Sequence, residues 1–331
     1  MLPCAVLGAP TISVVIATHN RAQHLPDLVS ALEQQQGVAD PEVVFVDDCS
    51  TDASAEVLDR LAGSSSLALQ VLRTERNSGP AVARNLGWRA GGVPLVAFTD
   101  DDCLPDPRWL ARIVAGLHDA DLVQGRTIAP PGASGWGPFA RTVIIERPSW
   151  KFETCNIGYR RQLLEAADGF DERFAILGED CDLAWRAIEG GAKVAWDPEA
   201  IVVHRVVSCG SRLGDWLASL RFTRRLVYAP LIVKAHPGLR RHLFMACFYK
   251  PHHALSLVAF TSAAAAAGRR RRRGRLLAVG TLPWLVYRVA IDPRPAPRRW
   301  LWAVLPLGLV ADLAAIAATA EGSVRHRALL V

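Results

Sequence analysis

Several familiar signatures are missing from this chain of 331 residues. Its seven cysteines (Cys4, Cys49, Cys103, Cys155, Cys181, Cys209 and Cys247) never fall into a CxxC spacing. That scatter argues against a zinc centre or a disulfide framework and points to reduced thiols in a cytosolic compartment. No GxGxxG follows the first strand-like run, so the dinucleotide fingerprint is absent, and the lack of GxxxxGK[ST] removes P-loop chemistry. Lysine is scarce, at Lys151, Lys193, Lys234 and Lys250 only, which makes arginine the main cation. The first residues, MLPCAVLGAPTISVVIA, have no positive n-region, so they read as a lead-in to a strand and not as a signal peptide.

Apolar residues make up half of the sequence, enough for a sizeable core. The net charge of +6 hides a strong asymmetry. Residues 201–331 carry 21 Lys and Arg against four acids (Asp215, Asp292, Asp312 and Glu321), a net of +17, whereas residues 1–200 carry a net of −11. An acidic front and a basic, apolar rear suggest two physical environments. We therefore expect a folded domain over 1–210 and a basic, apolar helical tail over 211–331.

The front reads as alternating strands and helices. Ile12 to Ala17 is a first strand, followed by a helical pattern to about Gln36; Glu42 to Val46 is a second, with a helix over about 53–62 behind Ser50-Thr51-Asp52. Leu67 to Leu72 is a third strand. Asn77-Ser78-Gly79-Pro80 opens a helix, and Val93 to Thr99 is a fourth strand with a helix from Pro107 to about His118. Nearly continuous apolar strands in this alternation predict a parallel sheet with helices on both faces. The stretch 125–153, rich in Gly and Pro, reads as a long loop or irregular strands. A short strand covers 154–159, a helix starts at Arg161 and another at Glu179, and two strands cover Lys193 to Trp196 and Ala200 to Val203.

Polar residues collect where the strands end: Thr18-His19-Asn20, Asp47-Asp48 and Asp100-Asp101-Asp102. Carboxylates stacked at a strand end raise one another's pKa unless something positive arrives. One candidate is a hard divalent cation, which takes oxygen ligands and brings phosphates with it; the other reading is an acidic loop capping the helix after Pro105. Carboxyl ends of strands in an open α/β sheet are where ligands usually bind.

Taken in order, SVVIATHNR at 13–21, VVFVDDCSTD at 43–52, NSGPAVARNLGWRAG at 77–91, FTDDDCLPDP at 98–107, GYRRQLLEAADGFDERF at 158–174, GEDCDLAWR at 178–186 and VAWDPEAIVVHR at 194–205 resemble the family 2 glycosyltransferases. The resemblance covers about residues 11–205. It implies the GT-A fold, a Rossmann-like sheet, and inverting transfer of a sugar from a nucleotide-sugar donor. It places Thr18 and His19 along the nucleotide base, Asp47 and Asp48 at base and ribose, and Arg84 beside the nucleotide. Asp100 and Asp102 become the outer positions of the DXD motif, Asp101 the variable one. Asp102 would ligate Mg²⁺ or Mn²⁺, Asp100 would face ribose or metal, and His204 would complete the metal or diphosphate contacts. Asn156 would approach the donor sugar, and Glu179-Asp180 would lie near the acceptor with Asp180 as the base. A uridine donor follows from the resemblance alone. A sugar-nucleotide nucleotidyltransferase is the alternative, disfavoured because its glycine-rich, lysine-bearing loop is missing; a non-catalytic nucleotide-sugar-binding membrane protein of the same fold is another.

Behind residue 210 the pattern changes. Leu213 to His236 suits an amphipathic helix with Arg221, Arg224 and Arg225 interleaved; Leu243 to Gly268 and Trp300 to Ala320 are long and apolar, and Leu276 to Ile291 is shorter. Arg269 to Arg273, Arg275, Arg294, Arg298 and Arg299 flank them, which favours an anionic membrane surface and the cytoplasmic side. Either the segments lie in the interface, or 243–267 and 300–320 span while 276–291 dips in, in which case Asp312 needs a partner helix. The arginine run has no interleaved aromatics, so nucleic acid is not an expected partner. A lipid-linked or cell-envelope glycan is the expected acceptor.

Overall fold

A computed structural model describes residues 12–132, 139–174, 176–267, 273–288 and 301–330. The start of the chain, including the lead-in segment and Cys4, lies outside these residues, as do Arg269 to Arg272, Arg294, Arg298 and Arg299. The chain divides into two compact units, Met1–Pro130 with Thr142–Arg205 and Pro131–Arg141 with Val206–Val331.

In the first unit the strands and helices are β1 (Ile12–Thr18), α1 (Leu25–Glu33), β2 (Glu42–Asp47), α2 (Ser54–Ser64), β3 (Leu69–Arg73), α3 (Pro80–Ala90), β4 (Leu95–Thr99), β5 (Cys103–Pro105), α4 (Trp109–Asp119), β6 (Leu122–Ile128), β7 (Asn156–Arg160), α5 (Arg161–Ala166), α6 (Glu179–Glu189) and β8 (Val194–His204). They build one sheet in the order β3-β2-β1-β4-β7-β6-β8-β5. β1 lies between β2 and β4, parallel to both, and its residues are almost wholly buried, which is why it reads as an unbroken apolar run. Alternate residues serve the two faces. Val14 and Ile16 join a core with Leu25, Leu28 and Leu32 of α1 and Trp109, Leu110 and Ile113 of α4. Val15 faces the other way, onto Gly87 of α3. In α1 the buried positions Leu25, Leu28, Val29 and Leu32 recur at helical spacing.

The first four strands pair in parallel as expected, and the strands that follow make the sheet mixed. β7 runs antiparallel to both β4 and β6, and β5 antiparallel to β8. Leu122 to Ile128, at the head of the stretch expected to be irregular, is a strand because it is buried between β7 and β8. The two strands expected over 193–203 are one strand, β8, with an irregular register opposite Gly125/Arg126. The consequence for function is positional. With β6 parallel to β8 and antiparallel to β7, the carboxyl ends of β1, β2, β4 and β8 and the amino end of β7 reach the same edge of the sheet.

The second unit is helical: α7 (Arg212–Thr223), α8 (Ala229–Ala235), α9 (Pro251–Ala267), α10 (Arg273–Val286) and α11 (Leu301–His326). The single amphipathic helix expected over 213–236 is interrupted by a 3-10 segment, Arg224–Tyr228, before Pro230. The apolar segment from Leu243 becomes helical only at Pro251, since proline fits the first turn and disfavours helix in the residue before it. The described helix thus begins eight residues after the start of the expected span and is 17 residues long. Among the described residues one helix, Leu305–His326, is long and apolar enough to cross a membrane. Asp312, in its middle, is buried and accepts hydrogen bonds from Ser256 Oγ of α9 and Trp284 Nε1 of α10, each at 3.0 Å. Val258 and Phe260 on α9 and Val279, Leu282 and Val286 on α10 are exposed.

Gly87 lets α3 lie directly on the sheet. A Cβ there would sit 2.5 Å from Val15 Cγ1 and 3.1 Å from Val46 Cγ2. Gly87→Val should therefore cost at least about 2 kcal/mol through overpacking, read as a lowered urea midpoint with an unchanged slope.

Candidate active site

At the β1 and β2 ends the chain makes two tight turns, with Asn20 and Cys49 both at φ 56°. Asn20 holds them together: its Oδ1 accepts from Thr51 N at 2.7 Å and Asp52 N at 3.2 Å, while its own N–H donates to Ser50 Oγ at 2.9 Å. His19 Nδ1 lies 2.8 Å from the Asp48 carbonyl, and its Nε2 lies 3.0 Å from Asn77 Nδ2 and 3.1 Å from Asn20 Nδ2. The carbonyl can only accept and the amides can donate, so this network assigns the proton to Nδ1. The ring is thereby fixed, partly exposed, just beyond the carboxyl end of β1.

Asp47 and Asp48 are both buried and face into the fold. Asp47 Oδ1 accepts from Ser50 N at 3.0 Å, and Arg73 Nε lies 3.7 Å from Oδ2. Asp48 receives Thr74 Oγ1 at 2.7 Å, Ser78 N at 2.9 Å and Gly79 N at 2.7 Å. Asp48 thus ties down the loop that opens α3. Both carboxylates expected to read a nucleotide are engaged in framing the cleft.

The aspartate triplet splits three ways. Asp100 Oδ1 takes Arg84 NH2 at 2.9 Å, and Arg84 NH1 reaches Glu179 Oε1 at 2.8 Å. Arg84 is buried, and neighbouring carboxylates hold its charge firmly despite that burial. Asp100, expected at the metal or ribose, is therefore placed on a guanidinium. Asp101 and Asp102 share Arg21, at 3.4 Å and 3.8 Å. Burial, then the Asp102 charge, pushes the Asp101 carboxyl up to about 7.

Asp102 meets His204 because β5 pairs with β8, setting Cys103 directly opposite His204. His204 Nε2 lies 3.4 Å from Asp102 Oδ1. Its Nδ1 lies 2.8 Å from the Arg205 carbonyl, a bond only Nδ1–H can donate. In the neutral ring, Nε2 and the carboxylate oxygen then present lone pairs to each other, an arrangement that a cation between them satisfies. Among the described residues, ligand atoms of Asp102, Cys103 and His204 lie within 4.8 Å of one another. The residues present fit a divalent cation with mixed ligands.

On the far side, Gly178, at φ 100°, turns the chain into α6. Glu179 points to Arg84, and Asp182 is taken by Arg186 at 2.8 Å. Asp180 accepts from Cys181 N at 2.8 Å. Burial, then Glu179 and Glu153, push its carboxyl well above the usual range, and Arg84 opposes them. The Tyr159 hydroxyl and Glu153 Oε2, both buried electrostatic neighbours of Asp180, have no hydrogen-bond partner among the described residues. Phe152, just before Glu153, is held at φ 53°.

Asn156 is a correction. It is 0% exposed, accepts from Trp109 Nε1 at 2.8 Å and donates to the Arg126 and Ala200 carbonyls at 2.9 Å each. It is a scaffold amide locking β7 to its neighbours and presents nothing to a donor sugar. Sequence reasoning missed Arg21, Cys103 and Glu153. The first two stand inside the quoted motifs, at 13–21 and 98–107, whereas Glu153 lies in a segment without periodicity.

Residues 13–177 match the model of glycosyl transferase family 2. The chain is 32% identical over 244 residues to a pre-mycofactocin glycosyltransferase of Mycobacterium tuberculosis, an alignment covering 68% of this chain and 48% of that relative. It is 37% identical over 227 residues to the succinoglycan biosynthesis protein ExoU of Rhizobium meliloti, covering 61% and 62%. The chain thus spans about half the length of the first of these relatives. A mannosyltransferase from Pyrobaculum calidifontis, solved in complex with GDP-Man and Mn²⁺, shares the fold at TM-score 0.65 and 23% identity, over 94% of this chain and 87% of that one. TarS 1–349 of S. aureus in complex with UDP-GlcNAc does so at 0.51 and 18%, over 96% and 92%.

The Asp101 carboxyl binds its proton more tightly in the folded protein than at its ordinary value of 3.8. That contribution to stability is complete below about pH 4 and is lost as pH rises through about 7. Asp101→Asn should therefore be more stable than wild type at pH 8 without divalent cations, by at most about 4 kcal/mol, with the difference shrinking towards pH 4 in urea melts.

Proposed function

The chain belongs to glycosyl transferase family 2, and on that premise we propose that it transfers a sugar from a nucleotide-sugar donor to a hydroxyl of a lipid-linked or cell-envelope glycan, with inversion at the anomeric carbon. The observation that carries this reading is the Arg84 bridge. One guanidinium joins Asp100, at the end of β4, to Glu179, at the start of α6, and so puts the triplet and Asp180 into one network.

The chemistry requires a site that accepts negative charge at one end and a proton at the other. A divalent cation, Mg²⁺ or Mn²⁺, would supply Lewis-acid neutralisation of the donor diphosphate, held by Asp102 and His204. Arg21, beside Asp101 and Asp102, adds positive charge at the same rim. Thr18 and His19 stand at the β1 end, where a base would lie, with Asp47 and Asp48 holding the surrounding loops. Asp180 takes the acceptor hydroxyl proton as the acceptor oxygen bonds to the anomeric carbon and the bond from that carbon to the diphosphate oxygen breaks. Burial and the neighbouring carboxylates make Asp180 bind a proton more readily than an ordinary carboxylate, which is what a general base must do. Uridine is the proposed nucleoside of the donor.

The second unit is proposed to associate with an anionic membrane on the cytoplasmic side. The apolar helix Leu305–His326, the net charge of +17 over 201–331 and the exposed apolar side chains of α9 and α10 support this. The name of the Rhizobium relative, a succinoglycan biosynthesis protein, supports an envelope polysaccharide as acceptor.

A donor panel screened by thermal shift with Mn²⁺ present should identify a stabilising nucleotide sugar, and failure of every donor to shift the melting temperature would contradict the reading. Asp180→Asn should keep donor binding and lose transfer by about 10²–10⁴-fold; normal turnover would remove Asp180 as base. EDTA, or the pair Asp102→Asn and His204→Ala, should abolish transfer, with added Mn²⁺ restoring only the chelated wild type.

A further inference from the structure

Cys103 has no role in the transfer reaction as derived above, yet it borders the cation site. It is 0% exposed and stands opposite His204 in the β5–β8 ladder. Directly opposed residues in an antiparallel pair have Cβ atoms about 4.5–5.5 Å apart on one face of the sheet. Its sulfur, the Asp102 carboxylate and a ring nitrogen of His204 fall within 4.8 Å of one another. Behind it Cys155, 1% exposed, is in hydrogen-bonding contact with the Cys103 thiol, and Thr127 Oγ1 lies 3.7 Å from the Cys155 sulfur. An ordinary buried cysteine behaves as a small hydrophobe. Here the polar groups on either side of the sulfur are a carboxylate and an imidazole, the partners that a thiolate has in mixed metal centres.

We propose that Asp102, Cys103 and His204 form an oxygen–sulfur–nitrogen site that captures thiophilic divalent cations, Zn²⁺ or Cd²⁺, with Cys103 as the residue that sets this preference. The proposal rests on the reading that Asp102 and His204 hold a divalent cation, and it adds a ligand that discriminates between cations. Zn–S bonds of about 2.3 Å and Zn–N bonds of about 2.0 Å place tetrahedral ligands roughly 3.5 Å apart, so small side-chain rotations close the observed spacing. As the sulfur–metal bond forms, the thiol proton leaves to solvent and no electrons are transferred. A hard cation such as Mg²⁺ or Mn²⁺ takes oxygen and imidazole ligands and leaves the sulfur protonated. A soft cation engages all three groups and occupies the position that the donor diphosphate requires, so Zn²⁺ and Cd²⁺ act as inhibitors competing with Mn²⁺.

The test uses the full chain with Cd²⁺ and Mn²⁺ as probes. Wild type should develop an ultraviolet sulfur-to-cadmium charge-transfer band, and the difference from C103S and from C103A should saturate at one Cd²⁺ per chain. Cd²⁺ should displace bound Mn²⁺ from wild type, read as return of the free-ion EPR signal. Both variants should still bind Mn²⁺, followed as loss of the free-ion EPR signal, which also shows that they are folded. A wild-type band no larger than that of both variants, or Cd²⁺ that leaves Mn²⁺ bound, would place cadmium on other thiols, such as the exposed Cys209, and overturn the proposal. A wild type that binds Mn²⁺ without any cadmium band overturns the thiol role alone, whereas a wild type that binds neither ion removes the cation site and the proposal with it.

Discussion

One buried guanidinium organises the acidic rim. Arg84 is held between Asp100 and Glu179, and Asp180 lies in its field. Carboxylates gathered this closely would repel one another or neutralise by taking up protons, and an internal cation is what keeps them together before any ligand arrives. The arginine can be there because α3 lies flat against β1 and β2, which in turn requires Gly87 to have no side chain. The rigidity of a packed helix is thus converted into the placement of a charge.

The same rim divides its carboxylates by environment. Asp47 and Asp48 accept hydrogen bonds from loop donors and hold the surrounding turns. Asp100 is neutralised, Asp102 faces an imidazole, and Asp180 keeps a proton-hungry carboxyl beside Glu153 and Tyr159. Identical or near-identical side chains therefore stand in separate surroundings, and the cation-binding and proton-transfer roles proposed above fall to Asp102 and Asp180. In the helical unit a comparable solution appears on a smaller scale, where Asp312 is accommodated among apolar helices by Ser256 and Trp284.

The sequence made the parallel half of the sheet legible, because β1, β2 and β4 are buried on both faces and read as unbroken apolar runs ending in polar clusters. The antiparallel half was harder. Nothing local in Leu122 to Ile128 or Cys103–Pro105 says which strand each will pair with, since register and direction are set by distant neighbours. The chemistry-bearing residues were recognisable by type and order, but not by partner. Asn156 looked like a polar group beside the site, and only the fold shows its amide consumed by Trp109, Arg126 and Ala200. Arg21 and Glu153 escaped notice for the converse reason, because their importance comes from which carboxylates they meet. The apolar tail segments were visible as composition, while the start of α9 at Pro251 was fixed by one residue's backbone chemistry.

The pairing of β5 with β8 joins Cys103 to His204 across about a hundred intervening residues. A ribosome that has released only the first half of the chain has made every aspartate of the triplet but not the imidazole that stands against Asp102. During synthesis the chain therefore passes through a period in which its acidic edge exists without its histidine, and the cradle can be completed only once the strand that comes last in the sequence has been made.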